Sequence, residues 1–174
     1  NNPPVTIESD ERTPEPKPGT EMSFTDVTSE SGIAYEVIFS FGDMPEGEPV
    51  PAIPTSGAAA GDYDNDGDID LFIVWGDEGP NRLYRNDGNL KFTDVAEDAG
   101  VAFLGPDGST SFQVGPVFAD VDGDGDLDLF LRGLSVRSLL LRNNNDGTFS
   151  DITDDTGLLF SRPYGMSTAF GDYD

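Results

Sequence analysis

The sequence predicts an all-β fold built from repeated four-stranded sheets, and three observations predict it. An acidic stretch, Asp62-Tyr63-Asp64-Asn65-Asp66-Gly67-Asp68-Ile69-Asp70, returns as Asp120-Val121-Asp122-Gly123-Asp124-Gly125-Asp126-Leu127-Asp128 and begins again at Asp172-Tyr173-Asp174. Each complete copy leads into a short apolar run, Leu71-Phe72-Ile73-Val74-Trp75 or Leu129-Phe130-Leu131, bounded by Gly. Short runs rich in aromatic and branched residues read as buried strand rather than helix. Finally, a decapeptide of the form Phe-Thr/Ser-Asp-Val/Ile, four mostly polar or acidic residues, Gly and an apolar residue occurs at 24–33, 92–101 and 149–158. A repeat of about 50–60 residues holding four strands is one blade of a β-propeller.

In chain order, residues 1–20 hold five prolines, Pro3, Pro4, Pro14, Pro16 and Pro18, among charged and polar residues. Such a segment buries no core and reads as a disordered terminus or an extended tether. The chain starts at Asn1 without Met, which suits a processed or cut protein, and a tether there suits surface anchoring. The repeats occupy 21–174. Each decapeptide is expected to form a short strand, then an acidic turn capped by its Asp or Thr and closed by Gly, then an apolar plug.

The spacing from acidic stretch to decapeptide is nearly constant: 30 residues from Asp62 to Phe92 and 29 from Asp120 to Phe149. The spacing from decapeptide to the next acidic stretch varies, so each unit has a fixed body and a variable connector. Connectors 34–56 and 102–116 carry Pro and Gly and are expected at the surface, where recognition concentrates. Alternating Tyr35, Val37, Phe39 and Phe41 predict an extra strand in the first. Within the fixed bodies, strands are predicted at 57–61, 69–75, 81–85 and 90–95, then at 115–119, 127–132, 138–142 and 148–152. Asn86-Asp87-Gly88 and Asn145-Asp146-Gly147 mark hairpin turns. Arg82, Arg85, Arg137 and Arg142 fall on the third strands, where pairing with acidic neighbours accounts for them.

The acidic stretches carry the chemistry. Carboxylates at this density repel one another in an empty loop, and a hard divalent cation relieves the repulsion. Calcium takes six to eight oxygens at about 2.3–2.6 Å, often from loop positions 1, 3, 5 and 7, with Gly at 6 for the turn. Asp62, Asp64, Asp66 and Asp70 supply side chains at positions 1, 3, 5 and 9, and Asp68 its carbonyl at position 7. The second set is Asp120, Asp122, Asp124 and Asp128, with the carbonyl of Asp126. Asp172 and Asp174 begin a third. An EF-hand needs a bidentate Glu at position 12 and flanking helices, whereas position 12 is Ile73 or Leu131 and the flanks read as strands. The reading is therefore a β-hairpin with calcium in its turn, against the alternative of a solvated acidic turn without metal.

Composition sets limits on partners. With 9 Lys and Arg against 34 Asp and Glu, the net charge is −25, which disfavours nucleic acid and anionic membrane surfaces. There is no Cys and no His, hence no disulfide, no thiolate chemistry and no imidazole base or ligand. No apolar run of about 18 residues spans a bilayer.

Ala60-Gly61-Asp62-Tyr63-Asp64-Asn65-Asp66-Gly67-Asp68-Ile69-Asp70-Leu71 resembles the FG-GAP or VCBS repeat of integrin alpha-subunit propellers and many bacterial surface proteins. The decapeptides with the Asn-Asp-Gly turn resemble the subgroup related to cartilage acidic protein, the ASPIC/UnbV type. The resemblance covers 24–174. It implies a propeller of six to eight blades, with calcium loops between the first and second strands of the blades. Two full blades plus partial ones do not close a ring and leave strand edges open, so a longer protein is expected. The strand of decapeptide 24–33 is then expected to complete the final blade.

Two functions follow as expectations. One is an extracellular adhesion or interaction module for a protein or glycan ligand, with Ca2+ structural. The other is a structural subunit of a surface fibre that joins copies of itself through blade edges or the N-terminal arm. An enzyme is not expected, because every conspicuous carboxylate pair fits a calcium loop; catalytic and cofactor-binding residues are assigned to none.

Overall fold

The fold is that of a computed structural model describing residues 24–34, 57–75, 79–104, 113–133, 136–157 and 168–171. The N-terminal tether, the extra strand at Tyr35–Phe41, and Asp172 and Asp174 lie outside the described residues. Two four-stranded antiparallel sheets form. The first runs in order β1 (Gly57–Gly61), β2 (Asp70–Val74), β3 (Arg82–Asn86) and β4 (Phe92–Asp94). The second runs β5 (Gln113–Ala119), β6 (Asp128–Gly133), β7 (Leu139–Asn143) and β8 (Phe149–Asp151). The all-β expectation and all eight predicted strands are met, with ends shifted by no more than two residues.

The shift at β5 has a cause. Pairing with β6 breaks register between Val114 and Val117, where Gly115 and Pro116 lie. A bulge accommodates a proline that a regular ladder rejects. The strand therefore starts at Gln113, which is buried, and the end of the predicted connector belongs to the sheet.

Register places the core. Phe72 lies opposite Leu83, Leu129 opposite Leu141 and Leu131 opposite Leu139, so each pair shares a face. These six side chains, with Val74, Val101 and Tyr63, form one buried cluster shared by both sheets. The glycines at the two ends of β1 follow from crowding against the second unit. A Cβ on Gly57 would stand 2.8 Å from Pro116 Cδ, and one on Gly61 2.8 Å from Leu127 Cδ1.

The decapeptides behave as predicted in their turns. Asp26, Asp94 and Asp151 each accept a bond from the backbone N–H two residues on, at Thr28, Ala96 and Thr153. A helical turn α1 (Thr28–Ser31) follows in the first and a 3-10 turn (Thr153–Asp155) in the third. The first departs in its strand. Residues 24–27 are not in a sheet, and Phe24 is 94 % exposed, because no described third strand lies beside them. Its distal half packs on the first sheet: Ala34 N–H donates to the Tyr84 hydroxyl at 3.3 Å and Lys91 Nζ to the Glu30 carbonyl.

Three of the four arginines pair with acids as expected: Arg82 with Asp94 at 2.6 Å, Arg85 with Asp87 at 2.8 Å, and Arg137 with Asp151 and Asp154 at 2.9 Å each. Arg137 precedes β7 rather than lying on it, and Arg142 is exposed on that strand. Among the described residues no helix is long and apolar enough to cross a membrane.

Candidate metal centre

Both acidic stretches are the turns between first and second strands, 62–69 between β1 and β2 and 120–127 between β5 and β6. Their conformation follows from their own carboxylates. Asp62 accepts from the N–H groups of Asp66 and Gly67 at 3.1 and 3.0 Å. Asp120 accepts from those of Gly123 and Gly125 at 2.7 and 3.1 Å. Asp66 caps the Asp68 N–H and Asp124 the Asp126 N–H, at 2.9 and 3.0 Å. Gly67 and Gly125, the sixth residue of each loop, both sit at φ 95°, a left-handed conformation that side chains resist.

The ninth residue anchors each loop to its sheet. Asp70 accepts from Tyr63 N–H at 3.0 Å and Asn86 N–H at 2.8 Å. Asp128 accepts from Val121 N–H at 3.0 Å and Asn143 N–H at 2.9 Å. Asn86 and Asn143 complete the clamp by donating Nδ2 to the Ile69 and Leu127 carbonyls, each at 3.2 Å. Sequence reasoning missed both asparagines as site residues. The signal was present: an Asn directly after an Arg closes the third strand in both units, as Arg85-Asn86 and Arg142-Asn143.

In the first loop Asp62, Asp64 and Asp70 bring carboxylate oxygens within 4.8 Å of one another; in the second, Asp120, Asp122 and Asp124 do so. Oxygens held by one calcium at about 2.3–2.6 Å lie at most about 5 Å apart, so both clusters have the size the ion requires. The predicted ligands do not converge alike. Asp66 and Asp68 stay exposed outside the first cluster, while Asp126 and Asp128 are buried outside the second.

Two features of the first loop fit a cation. Asp64 Oδ1 is shielded from solvent and accepts no hydrogen bond, a costly state for a carboxylate oxygen. The carboxyl of Asp70 is pushed up to about 6, chiefly by burial, with the Asp64 and Asp66 charges adding to it against the two backbone hydrogen bonds. Burial and the Asp66 charge also raise Asp64, and burial raises Asp128. The loops thus hold carboxylates in surroundings that resist their charge, and a bound cation inverts that preference. Tyr63, buried beside them, has its hydroxyl raised to about 12 by burial and the Asp64 charge.

A family model described as FG-GAP-like repeat matches residues 62–131 and, again, residues 120–174. No curated protein matches the chain.

Proposed function

The chain belongs to the FG-GAP-like repeat family, and from that premise we propose that it is a non-catalytic, calcium-stabilised β-propeller module for extracellular adhesion to a protein or glycan. Asp62, Asp64 and Asp70 would hold one ion and Asp120, Asp122 and Asp124 another, with Asp66, Asp68, Asp126 and Asp128 completing or supporting the shells. The ion would neutralise the acidic turn and stiffen the hairpin, so that binding energy becomes folding energy. The observation that carries the reading is Asp64 Oδ1, enclosed and unpartnered within a cluster of carboxylates. Sites of extracellular modules bind at about 0.1–1 mM. Calcium titration by calorimetry on chelator-stripped protein tests it: binding in that range with a matching rise in melting temperature supports it, and no heat up to 10-fold above that range (about 10 mM) refutes it.

The assembly reading draws on residues 24–27, which lie outside any described sheet, are exposed at 24–26, and repeat the sequence of β4 and nearly that of β8. Free strand edges pair with other chains. Light scattering with and without chelator separates the two: regular polymers favour a fibre subunit, a uniform single species the module.

A further inference from the structure

We infer that the two acidic loops load calcium as a coupled pair, with Asn65 as the residue that transmits the state of the first loop to the second; this rests on the calcium reading above. Asn65 lies between Asp64 and Asp66 and adopts φ 60°. Its Nδ2 donates to Asp126 Oδ1 at 2.6 Å, across 61 positions of chain. Asp126 is the seventh residue of the second loop, whose carbonyl is a candidate ligand. It is 8 % exposed, while its counterpart Asp68 is exposed. The contact to Asn65 goes with that difference.

A second connection runs in parallel. Asn143, which clamps Asp128, also donates Nδ2 to the Tyr63 carbonyl at 2.7 Å. Tyr63 N–H in turn donates to Asp70. The ninth carboxylates of both loops are therefore joined through Asn143 and Tyr63 by hydrogen bonds of 2.9, 2.7 and 3.0 Å. An ion that closes the first loop around Asp64 fixes the Asn65 peptide on both sides. The Asn65 amide then holds the Asp126 side chain, and with it the orientation of the residue that offers the carbonyl. The second loop starts from fewer conformations and binds more tightly, and by linkage the effect is reciprocal.

The second loop carries Gly123 where the first has Asn65. Asn65→Gly therefore gives the first loop the residue its twin already uses, suits the positive φ, and leaves every candidate ligand in place. The probe is calcium added to the stripped chain, followed by the amide NMR signals of Gly67 and Gly125, one reporter in each loop. In the natural sequence both signals are expected to titrate together. In Asn65→Gly both midpoints should move to higher calcium, the two shifts multiplying to about five-fold or more, the lower end of typical coupling. Independent midpoints in the natural sequence would overturn the coupling, and a Gly125 midpoint unchanged in the variant would overturn the role of Asn65, each while leaving calcium binding intact. Glycine signals that ignore calcium altogether would overturn the calcium reading and the coupling together.

Discussion

The side chain of Asn143, at the end of β7, donates to the backbone carbonyl of Tyr63 in the acidic loop of the other sheet, at 2.7 Å and across 80 positions of chain. The same amide reaches the Leu127 carbonyl, and its Oδ1 accepts from Asn145 N–H at 3.0 Å. One buried residue thus closes its own hairpin, anchors its own loop and ties the neighbouring loop to it.

Asn143→Ala should therefore destabilise more than Asn86→Ala, although both asparagines clamp their loops in the same way. Each buried carbonyl left without a donor costs about 1–3 kcal/mol, and Asn143 leaves one more than Asn86. A gap of at least about 1 kcal/mol is expected between the variants in urea denaturation. Equal losses would mean that the link between sheets adds nothing.

Asp64→Ala should lower the melting temperature in calcium and leave it nearly unchanged, or slightly raised, in chelator. Without metal, the substitution removes an enclosed oxygen with no partner and one member of a self-repelling cluster. Scanning calorimetry in both buffers decides it. The same loss in both would show that Asp64 supports the fold and holds no ion.

Gly61→Ala should cost about 1–3 kcal/mol, the usual penalty for overpacking. Its new Cβ meets Leu127 Cδ1 at 2.8 Å and Phe118 Cδ2 at 3.2 Å, where the edge strands β1 and β5 of the two sheets meet. Ala58→Ser, at an exposed position of the same strand, should stay within about 0.5 kcal/mol. Chemical denaturation of the pair tests whether β1 needs small residues on one side alone.

Asp87 should titrate below ordinary aspartates. The Thr93 hydroxyl and then Arg85 bond to its carboxylate and favour the charged form. Because the folded state lowers this group's pKa, its contribution to stability is present above the unfolded pKa and fades as pH falls through the folded one. Thr93→Val should raise the Asp87 titration point read by carboxyl carbon NMR. A titration point that stays put in the variant would show that the hydroxyl does not hold the charge.

The sequence already contained the strands. Apolar runs after each acidic stretch, Asn-Asp-Gly turns and a recurring decapeptide are local signals, and local signals determine where strands begin and turn. It also contained the loop geometry, since carboxylates two to five residues from their own backbone N–H groups, as with Asp62 and Gly67, form their bonds within the turn. At Phe24 the local signal is not enough: a strand needs a partner, and the sequence that pairs at Phe92, and in near-identical form at Phe149, is in no sheet at 24–27 among the described residues.

The tertiary structure alone decided how the loops relate. Nothing in the spacing indicates that Asn65 meets Asp126 or that Asn143 meets Tyr63, because those contacts arise from packing Phe72 and Leu83 against Leu129, Leu131 and Leu141. It also decided which carboxylates converge: Asp70 joins the first cluster and Asp128 does not join the second, although both occupy the ninth position and both are buried. Repeats of nearly one sequence make nearly one local fold, but each sits beside a different neighbour, and the neighbour sets burial, charge and contact.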